Sequence, residues 1–182
     1  MTNIKDLQIY IVDIDPMMCQ AMQNKFRNVS TVQVVQSDIK AFFEKNRNAI
    51  DCLVSPANAY GYMSGGYDAR LSDILGWDFQ EKVQNYIKDN CFGEQGVGTS
   101  FIIKTNLSNL YLIHTPTMQR PNIIKDDMIV YYCMRSTLMC AMQNNIKSIV
   151  IPVFGGSCGG LTPEIASTRM FDAYRQIANY NC

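Results

Sequence analysis

Strand-like and helix-like segments alternate along the whole chain, and only a few folds accommodate that order. Runs rich in Ile, Val and Tyr predict six strands, at Leu7–Ile14, Thr31–Gln36, Asp51–Ser55, Gly98–Lys104, Leu110–Thr115 and Ser148–Phe154. Helical spacing of apolar residues predicts helices at 17–27, 37–45, 69–75, 78–89 and 126–144, and after Thr162. Strands that alternate with helices place helices on both faces of a sheet. The sequence therefore predicts an α/β fold, a three-layer α/β/α sandwich with a mostly parallel sheet. No helix separates the two strands between 98 and 115, so the sheet should be mixed.

The composition is typical of a folded domain. The chain has 182 residues, with 16 Lys+Arg against 16 Asp+Glu, and is 47% hydrophobic. This balance argues against a disordered chain and against a nucleic-acid binder that relies on bulk positive charge. The longest apolar runs, such as Ile149–Phe154, fall far short of the ~20 residues that cross a bilayer. We therefore expect one domain over residues 1–182, a monomer without membrane or nucleic-acid partners.

The cysteines do not form a recognisable framework. There are 7 of them, an odd number, with no C-x-x-C pair and only 1 His. This excludes a structural zinc site of the usual spacing and argues against a disulfide scaffold. Residues 1–15 lack the basic, apolar and small-residue order of a secretory signal. These features predict a cytoplasmic protein that carries no metal and no cofactor.

Two glycine-rich loops follow predicted strands and lead into predicted helices. The first covers Asn58–Asp68 and the second covers Gly155–Gly160. In open α/β sheets, ligands bind at the carboxyl ends of the strands. Glycines allow a close backbone approach there, and helix N-termini attract anions. Neither loop matches the P-loop or the dinucleotide fingerprint. The pair of loops predicts an anion or phosphate site.

Three polar residues beside these loops have two interpretations each. Asp38 follows a strand and is either a helix N-cap or an acceptor for the exocyclic amino group of a purine. Asn58 either bridges two backbone segments or contacts a ribose hydroxyl or a water. Asp68 is either an N-cap or a carboxylate held over the ligand that orients or activates water.

The second loop also matches a hydrolase pattern. Gly155–Gly159 reads G-x-S-x-G around Ser157, but that fold requires its His after the Ser, and His114 precedes it. A Cys158 thiol paired with His114 is the other nucleophile that the sequence permits. A lone His in a strand is more often structural.

Taken together, these segments resemble the macro domain family of ADP-ribose-binding α/β proteins. Gln36–Ile39 is similar to the family's Gly-Asp-Ile/Leu step, and Val54–Asp68 is similar to its V-N-A-A-N…G-G-G-V-D loop with the same spacing from Asn58 to Asp68. Residues Ile151–Tyr174 are similar to the family's last strand, diphosphate loop and closing helix. The resemblance covers nearly the whole chain and is greatest to stand-alone domains of bacteria, phages and large viruses.

The resemblance implies a set of ligand contacts. Asp38 and Ile39 would hold adenine. Asn58 and the loop of Gly65, Gly66 and Tyr67 would meet the distal ribose. The second loop would wrap the diphosphate with Phe154, Gly155, Gly156, Ser157, Cys158, Gly159, Gly160 and Leu161. In the hydrolytic branch of the family, the residues that match Asn58 and Asp68 support catalysis.

The chain also departs from the family pattern. The family's second loop commonly reads S-T-G-I-F-G, where the aromatic packs on the distal ribose. Here Ser157 stands for the middle Gly and Gly159 for the aromatic, and Ser55-Pro56 replaces the first Asn and its neighbour. Loss of the aromatic either loosens the distal ribose or leaves its place to Tyr67 or Tyr62.

Three functions are compatible with these features. The first is a hydrolase of mono-ADP-ribosyl or ADP-ribose-1″-phosphate substrates that uses Asn58 and Asp68. The second is a non-catalytic reader or sponge for ADP-ribose or a related NAD-derived nucleotide. The third is an interaction module in which the glycine loops are only turns.

Overall fold

The computed structural model describes residues 2–180, so Met1, Asn181 and Cys182 lie outside the described part. Six strands form one sheet: β1 (Gln8–Asp13), β2 (Val32–Gln36), β3 (Cys52–Ser55), β4 (Phe101–Lys104), β5 (Tyr111–His114) and β6 (Ser148–Ile151). The strand order is β2-β1-β6-β3-β5-β4. Neighbouring strands are parallel except β4, which pairs antiparallel with β5. The predicted mixed, mostly parallel sheet is confirmed.

In the described part of the chain, six α-helices connect or flank these strands: α1 (Pro16–Phe26), α2 (Ile39–Asn46), α3 (Gly66–Leu75), α4 (Phe79–Asn90), α5 (Met128–Gln143) and α6 (Pro163–Tyr180). Two short 3-10 helices lie at Ile4–Asp6 and Arg47–Ala49. Within residues 2–180, no helix is long and apolar enough to cross a membrane.

Two helices begin at side-chain caps. Asp15 caps α1 by accepting the backbone N–H groups of Met17 and Met18, and Pro16 takes the first helical position. Thr162 accepts the N–H of Ile165 at 3.4 Å at the start of α6. These caps fix the points where the chain leaves the sheet edge and enters a helix.

Three predicted boundaries were wrong by three residues each, two of them for backbone reasons. β6 ends at Ile151 rather than Phe154, because Pro152 has no N–H to donate to the ladder. β4 begins at Phe101 rather than Gly98, whose φ of +80° is left-handed rather than extended. α3 begins at Gly66, three residues before the predicted start, so Asp68 lies inside its first turn.

Two hydrophobic cores cover the two faces of the sheet. One contains the inward side chains of α1, α5 and α6, including Met22, Leu138 and Met170. The other contains those of α2, α3 and α4, including Leu71 and Val83. Because both faces are buried under helices, the predicted three-layer α/β/α sandwich is confirmed.

Candidate functional site

The predicted ligand residues gather along one edge of the sheet. The parallel strands β1, β2, β3 and β6 all end at this edge. Asp38 follows β2, the loop with Asn58 and Asp68 follows β3, and the second glycine loop follows β6. We call this side the carboxyl edge. It carries unpaired backbone groups and helix N-termini, as ligand sites in open α/β sheets do.

Asp38 serves two partners with its two carboxylate oxygens. Oδ1 caps α2 by accepting the N–H groups of Lys40 at 2.9 Å and Ala41 at 3.1 Å. Oδ2 lies 3.4 Å from Nε of Arg70, and the Asp38 side chain is 40% exposed. The N-cap interpretation is thus correct, and the second oxygen, Oδ2, pairs with Arg70. The backbone N–H of Ile39, in the first turn of α2, has no acceptor within the helix.

Asn58 ties the first glycine loop together. Its side-chain oxygen accepts N–H groups from Tyr60 at 3.1 Å and Tyr62 at 3.4 Å, and its Nδ2 donates to the Tyr62 carbonyl at 3.2 Å. The residue is 6% exposed. The side chain therefore holds the backbone of its own loop rather than bridging two separate segments, and its contact with a ribose or a water stays a prediction.

Asp68 is the most perturbed carboxyl group of this edge. It is 7% exposed, and its Oδ1 accepts a 2.5 Å hydrogen bond from Ser55 Oγ at the end of β3. Burial raises the pKa of Asp68 to about 7, although the Ser55 hydrogen bond lowers it. Gly65, not Asp68, holds the N-cap position of α3, so the N-cap interpretation of Asp68 was wrong. A carboxyl group that is partly ionised near neutral pH suits proton transfer.

The backbone before α3 is open to solvent. Gly65 and Gly66 are exposed, and a Cβ added to either would meet no atom within 4 Å. Gly66 has a φ of +54°, which a residue with a side chain rarely adopts. Gly65 and Gly66 thus expose their backbone atoms close to Asp68 in the chain.

The second glycine loop is a closed turn that exposes its tip. The Leu161 N–H donates to the Gly155 carbonyl at 3.1 Å, and the Gly160 N–H donates to the Ser157 carbonyl at 3.1 Å. Ser157 and Cys158 are exposed, whereas Phe154 is fully buried. Phe154 therefore packs in the core, and only its backbone belongs to the loop.

Gly159 has a steric reason to be glycine. A Cβ there would lie 2.7 Å from Cδ1 of Ile124 and 2.8 Å from the Gly155 carbonyl oxygen. The Ile124 N–H also donates to the Gly159 carbonyl at 3.0 Å. The connection between β5 and α5 thus occupies the space that an aromatic side chain at this position would need.

His114 is a structural residue. Its Nδ1 lies 2.5 Å from Gln95 Oε1, and the Gln95 amide nitrogen donates to the His114 carbonyl at 3.3 Å. Burial lowers the pKa of His114 to about 3, and the side chain is fully buried. Cys158 is exposed. The imidazole is therefore neutral and held by Gln95, and the Cys158–His114 pairing finds no support.

Two residues of the edge were missed from the sequence. Arg70 reaches Asp38 from the next helix, and the long separation in sequence hides this ion pair. Asp13 ends β1 and accepts the Asp15 N–H at 2.9 Å, and burial raises its pKa. A carboxylate at the end of a buried strand is the signal that could have identified Asp13.

A separate cavity of about 400 Å³ lies between α5 and α6. It is lined by Arg135, Met139, Met142, Gln143, Gln176, Ile177 and Tyr180. These residues belong to the later turns of both helices, whereas the carboxyl edge is at the helix N-termini. Within residues 2–180, no group of three or more His, Cys, Asp or Glu side chains is placed to hold a metal ion.

Comparison with known proteins assigns the family. The sequence matches the Macro domain family model over residues 54–170. This match spans more than half of the chain and includes both glycine loops. The chain belongs to the macro domain family.

Relatives of known structure share the fold. The macrodomain of Mycobacterium tuberculosis DarG has a TM-score of 0.60 at 21% identity, over 71% of this chain and 84% of its own. The Oceanobacillus iheyensis macrodomain with ADP has a TM-score of 0.62 at 18% identity, over 71% and 70%. A variant of it with ADPR has a TM-score of 0.55 at 16% identity, over 72% and 86%. An uncharacterised Aquifex aeolicus (strain VF5) protein is 25% identical over 130 residues, 70% of this chain and 74% of that protein.

Proposed function

We propose that this chain binds ADP-ribose along the carboxyl edge and hydrolyses its bond to a carboxylate or phosphate group. The observation that carries the catalytic part is Asp68, whose burial brings its pKa to about 7. Such a carboxyl group takes up and releases a proton at the pH where the reaction would run. Membership of the macro domain family and the ADP and ADPR bound to the Oceanobacillus relative support the choice of nucleotide.

The binding part rests on how the polar groups are distributed. Oδ2 of Asp38, which also pairs with Arg70, accepts from the amino group of adenine, and the Ile39 N–H donates to the ring. The exposed tip around Ser157 receives the diphosphate at the N-terminal end of α6, where the helix dipole favours negative charge. The exposed backbone of Gly65 and Gly66 contacts the distal ribose. The Asn58 side chain holds the loop segment before these glycines in a single conformation through its hydrogen bonds to backbone groups.

The chemical step follows from Asp68. The carboxylate removes a proton from a water molecule as the water oxygen attacks the anomeric carbon of the distal ribose. A new C–O bond forms, and the bond to the substrate carboxylate or phosphate breaks, so that group leaves with the electron pair. The products are ADP-ribose with a free anomeric hydroxyl and the released carboxylate or phosphate anion, and the proton is on Asp68. Ser55 holds the carboxylate in place through its hydrogen bond.

Two measurements test the proposal. Titration calorimetry with ADP-ribose tests binding. Release of ADP-ribose from a glutamate-linked mono-ADP-ribosylated protein, or of phosphate from ADP-ribose-1″-phosphate, tests turnover. We expect Asp68→Ala to abolish turnover while ADP-ribose affinity stays within about tenfold, or 1.4 kcal/mol, of the wild-type value. The matched control is Asp89→Asn, an exposed carboxylate near the end of α4, which should change neither.

Each outcome has a distinct meaning. If the protein binds ADP-ribose but turns over neither substrate, the hydrolase hypothesis is refuted and the non-catalytic reader or sponge remains. No heat and no thermal shift at millimolar ADP-ribose removes the whole proposal and favours the interaction module. Turnover that survives in Asp68→Ala removes the catalytic role of this carboxyl group.

A further inference from the structure

The connection between β5 and α5 runs from the first glycine loop to the second. Near its start, the Met118 carbonyl accepts the Ala59 N–H at 3.0 Å. Near its end, the Ile124 N–H donates to the Gly159 carbonyl at 3.0 Å. The residues between these two anchors, 119–123, are all exposed. They form a solvent-facing stretch held at both ends by the candidate site, and we call it the bridging segment.

The bridging segment lies beyond the distal end of the proposed ligand. The proposed function assigns adenine to the end of β2, the diphosphate to the loop after β6 and the distal ribose to the loop after β3. In the sheet order β2-β1-β6-β3-β5-β4, these positions follow one another, and β5 comes next. Neighbouring strands are about 4.8 Å apart. A group attached to the anomeric carbon of the distal ribose therefore extends toward the bridging segment, which follows β5.

Arg120 is the one charged residue of the bridging segment. Its guanidinium carbon lies 5.4 Å from the centroid of the Tyr60 ring, which is within cation–π range. In the part of the chain that the structure describes, no carboxylate lies within ion-pairing distance of Arg120. The guanidinium is therefore held against an aromatic ring while its N–H donors are open to a ligand.

Tyr60 is itself fixed by the residues around it. Its hydroxyl donates to Oε2 of Glu94 at 3.0 Å, and the Gln119 amide donates to Oε1 of the same carboxylate at 2.7 Å. Both oxygens of Glu94 are thus engaged, and Gln119 ties the bridging segment to the support of the ring. Because Arg120 is positioned before a ligand arrives, less conformational entropy is lost when it binds one.

We propose that Arg120 binds the phosphate group of ADP-ribose-1″-phosphate and thereby gives the site a preference for this substrate over a glutamate ester of ADP-ribose. This inference rests on the proposed function. The planar guanidinium fits phosphate oxygens in a bidentate arrangement. A phosphate monoester carries a charge of about −1.5 to −2 at neutral pH, whereas the ester bond to a glutamate side chain is uncharged. The arginine therefore favours the phosphate substrate before any bond breaks.

The test is titration calorimetry in the Asp68→Ala background, in which we expect no turnover during the measurement. Asp68→Ala should bind ADP-ribose-1″-phosphate about tenfold more tightly than ADP-ribose. Addition of Arg120→Gln should remove this preference and leave the ADP-ribose affinity within about twofold. Arg120→Lys, which keeps the charge but not the planar fork, should retain part of the preference. The matched control is Arg47→Gln, an exposed arginine that precedes β3 at the opposite edge of the sheet, and it should change neither affinity.

Kinetics with Asp68 intact give an independent readout. Because the phosphate contact exists before the reaction begins, Arg120→Gln should raise the KM for ADP-ribose-1″-phosphate about tenfold. For a glutamate-linked mono-ADP-ribosylated protein the KM should not change, because the negative charge on that leaving group appears only as the bond breaks. A structural role of Arg120 would instead alter the KM for both substrates.

The outcomes distinguish this inference from the proposed function. If neither wild type nor Asp68→Ala binds either nucleotide, both fail. If ADP-ribose binds but the 1″-phosphate does not strengthen binding, or if Arg120→Gln keeps the preference, the inference is overturned and the proposed function stands. An equal loss of affinity for both nucleotides in Arg120→Gln also overturns the inference, because the arginine would then support the loops rather than bind the phosphate.

Discussion

Replacement of Asp68 by Asn should change how the stability of the protein depends on pH. In the folded state the pKa of Asp68 is about 7, against an ordinary value of 3.8. The folded protein therefore holds a proton on this group over a pH range in which the unfolded chain has released it. By linkage, stability is greatest below about pH 4, declines as the pH rises, and levels off above the folded-state pKa. The amide introduced by Asp68→Asn would mimic the protonated acid and remove this dependence.

The size of the effect follows from the two pKa values. Between pH 5 and pH 8, the Asp68 carboxyl should lower the free energy of unfolding by about 2.5 kcal/mol. In a domain of this size, that difference corresponds to roughly 5–10 °C in the thermal midpoint. The Ser55 hydroxyl partly offsets the penalty, since its hydrogen bond favours the ionised form. In Ser55→Ala the folded-state pKa should rise further.

The assay is thermal or urea unfolding of wild type and Asp68→Asn at several pH values. The difference in stability between the two proteins should shift in favour of the variant from pH 5 to pH 8. Asp89→Asn, at an exposed site, should follow the wild-type curve. A difference between wild type and Asp68→Asn that is constant with pH would refute the reasoning, because it would mean that burial does not raise the pKa of this carboxyl group.

Three further predictions concern the loops. Asn58→Ala should lower the free energy of unfolding by about 2–3 kcal/mol in urea titration, because two backbone N–H groups lose their acceptor; a variant as stable as wild type would contradict this. Gly159→Ala should weaken ADP-ribose binding more than tenfold by calorimetry, since its Cβ would lie 2.8 Å from the backbone carbonyl oxygen of Gly155 and would distort the loop. Gly96→Ala should bind normally, and equal affinities for wild type and Gly159→Ala would show that binding does not require this loop shape. Cys158 is exposed, so bound ADP-ribose should slow the alkylation of its thiol by N-ethylmaleimide, as followed by mass spectrometry. An unchanged alkylation rate would show that the thiol does not lie beside the bound nucleotide.

The fold could be predicted because its signals are local. Strand runs and helical spacing alternate in the sequence, and Asp15-Pro16 and Thr162-Pro163 mark two helix starts by capping chemistry. The mixed character of the sheet could be predicted from one local feature, the absence of a helix between β4 and β5. Two of the wrong boundaries came from backbone geometry at single residues, such as the φ of +80° at Gly98, which local composition does not reveal.

The environment of the site could be predicted only in part. The sequence identified Asp38, Asn58 and Asp68 as the polar residues of the edge, but not their partners. The hydrogen bond from Ser55 to Asp68 and the ion pair from Arg70 to Asp38 depend on how α3 packs against β3 and α2. Burial, which sets the pKa of Asp68, is likewise a property of the whole fold.

A crystal structure of the protein with ADP-ribose tests the central claim most directly. The account predicts that the adenine contacts Asp38, that the diphosphate contacts the backbone of the loop around Ser157, and that a water can sit between the anomeric carbon and Asp68. Nucleotide bound instead in the cavity between α5 and α6, or an anomeric carbon far from Asp68, would contradict it.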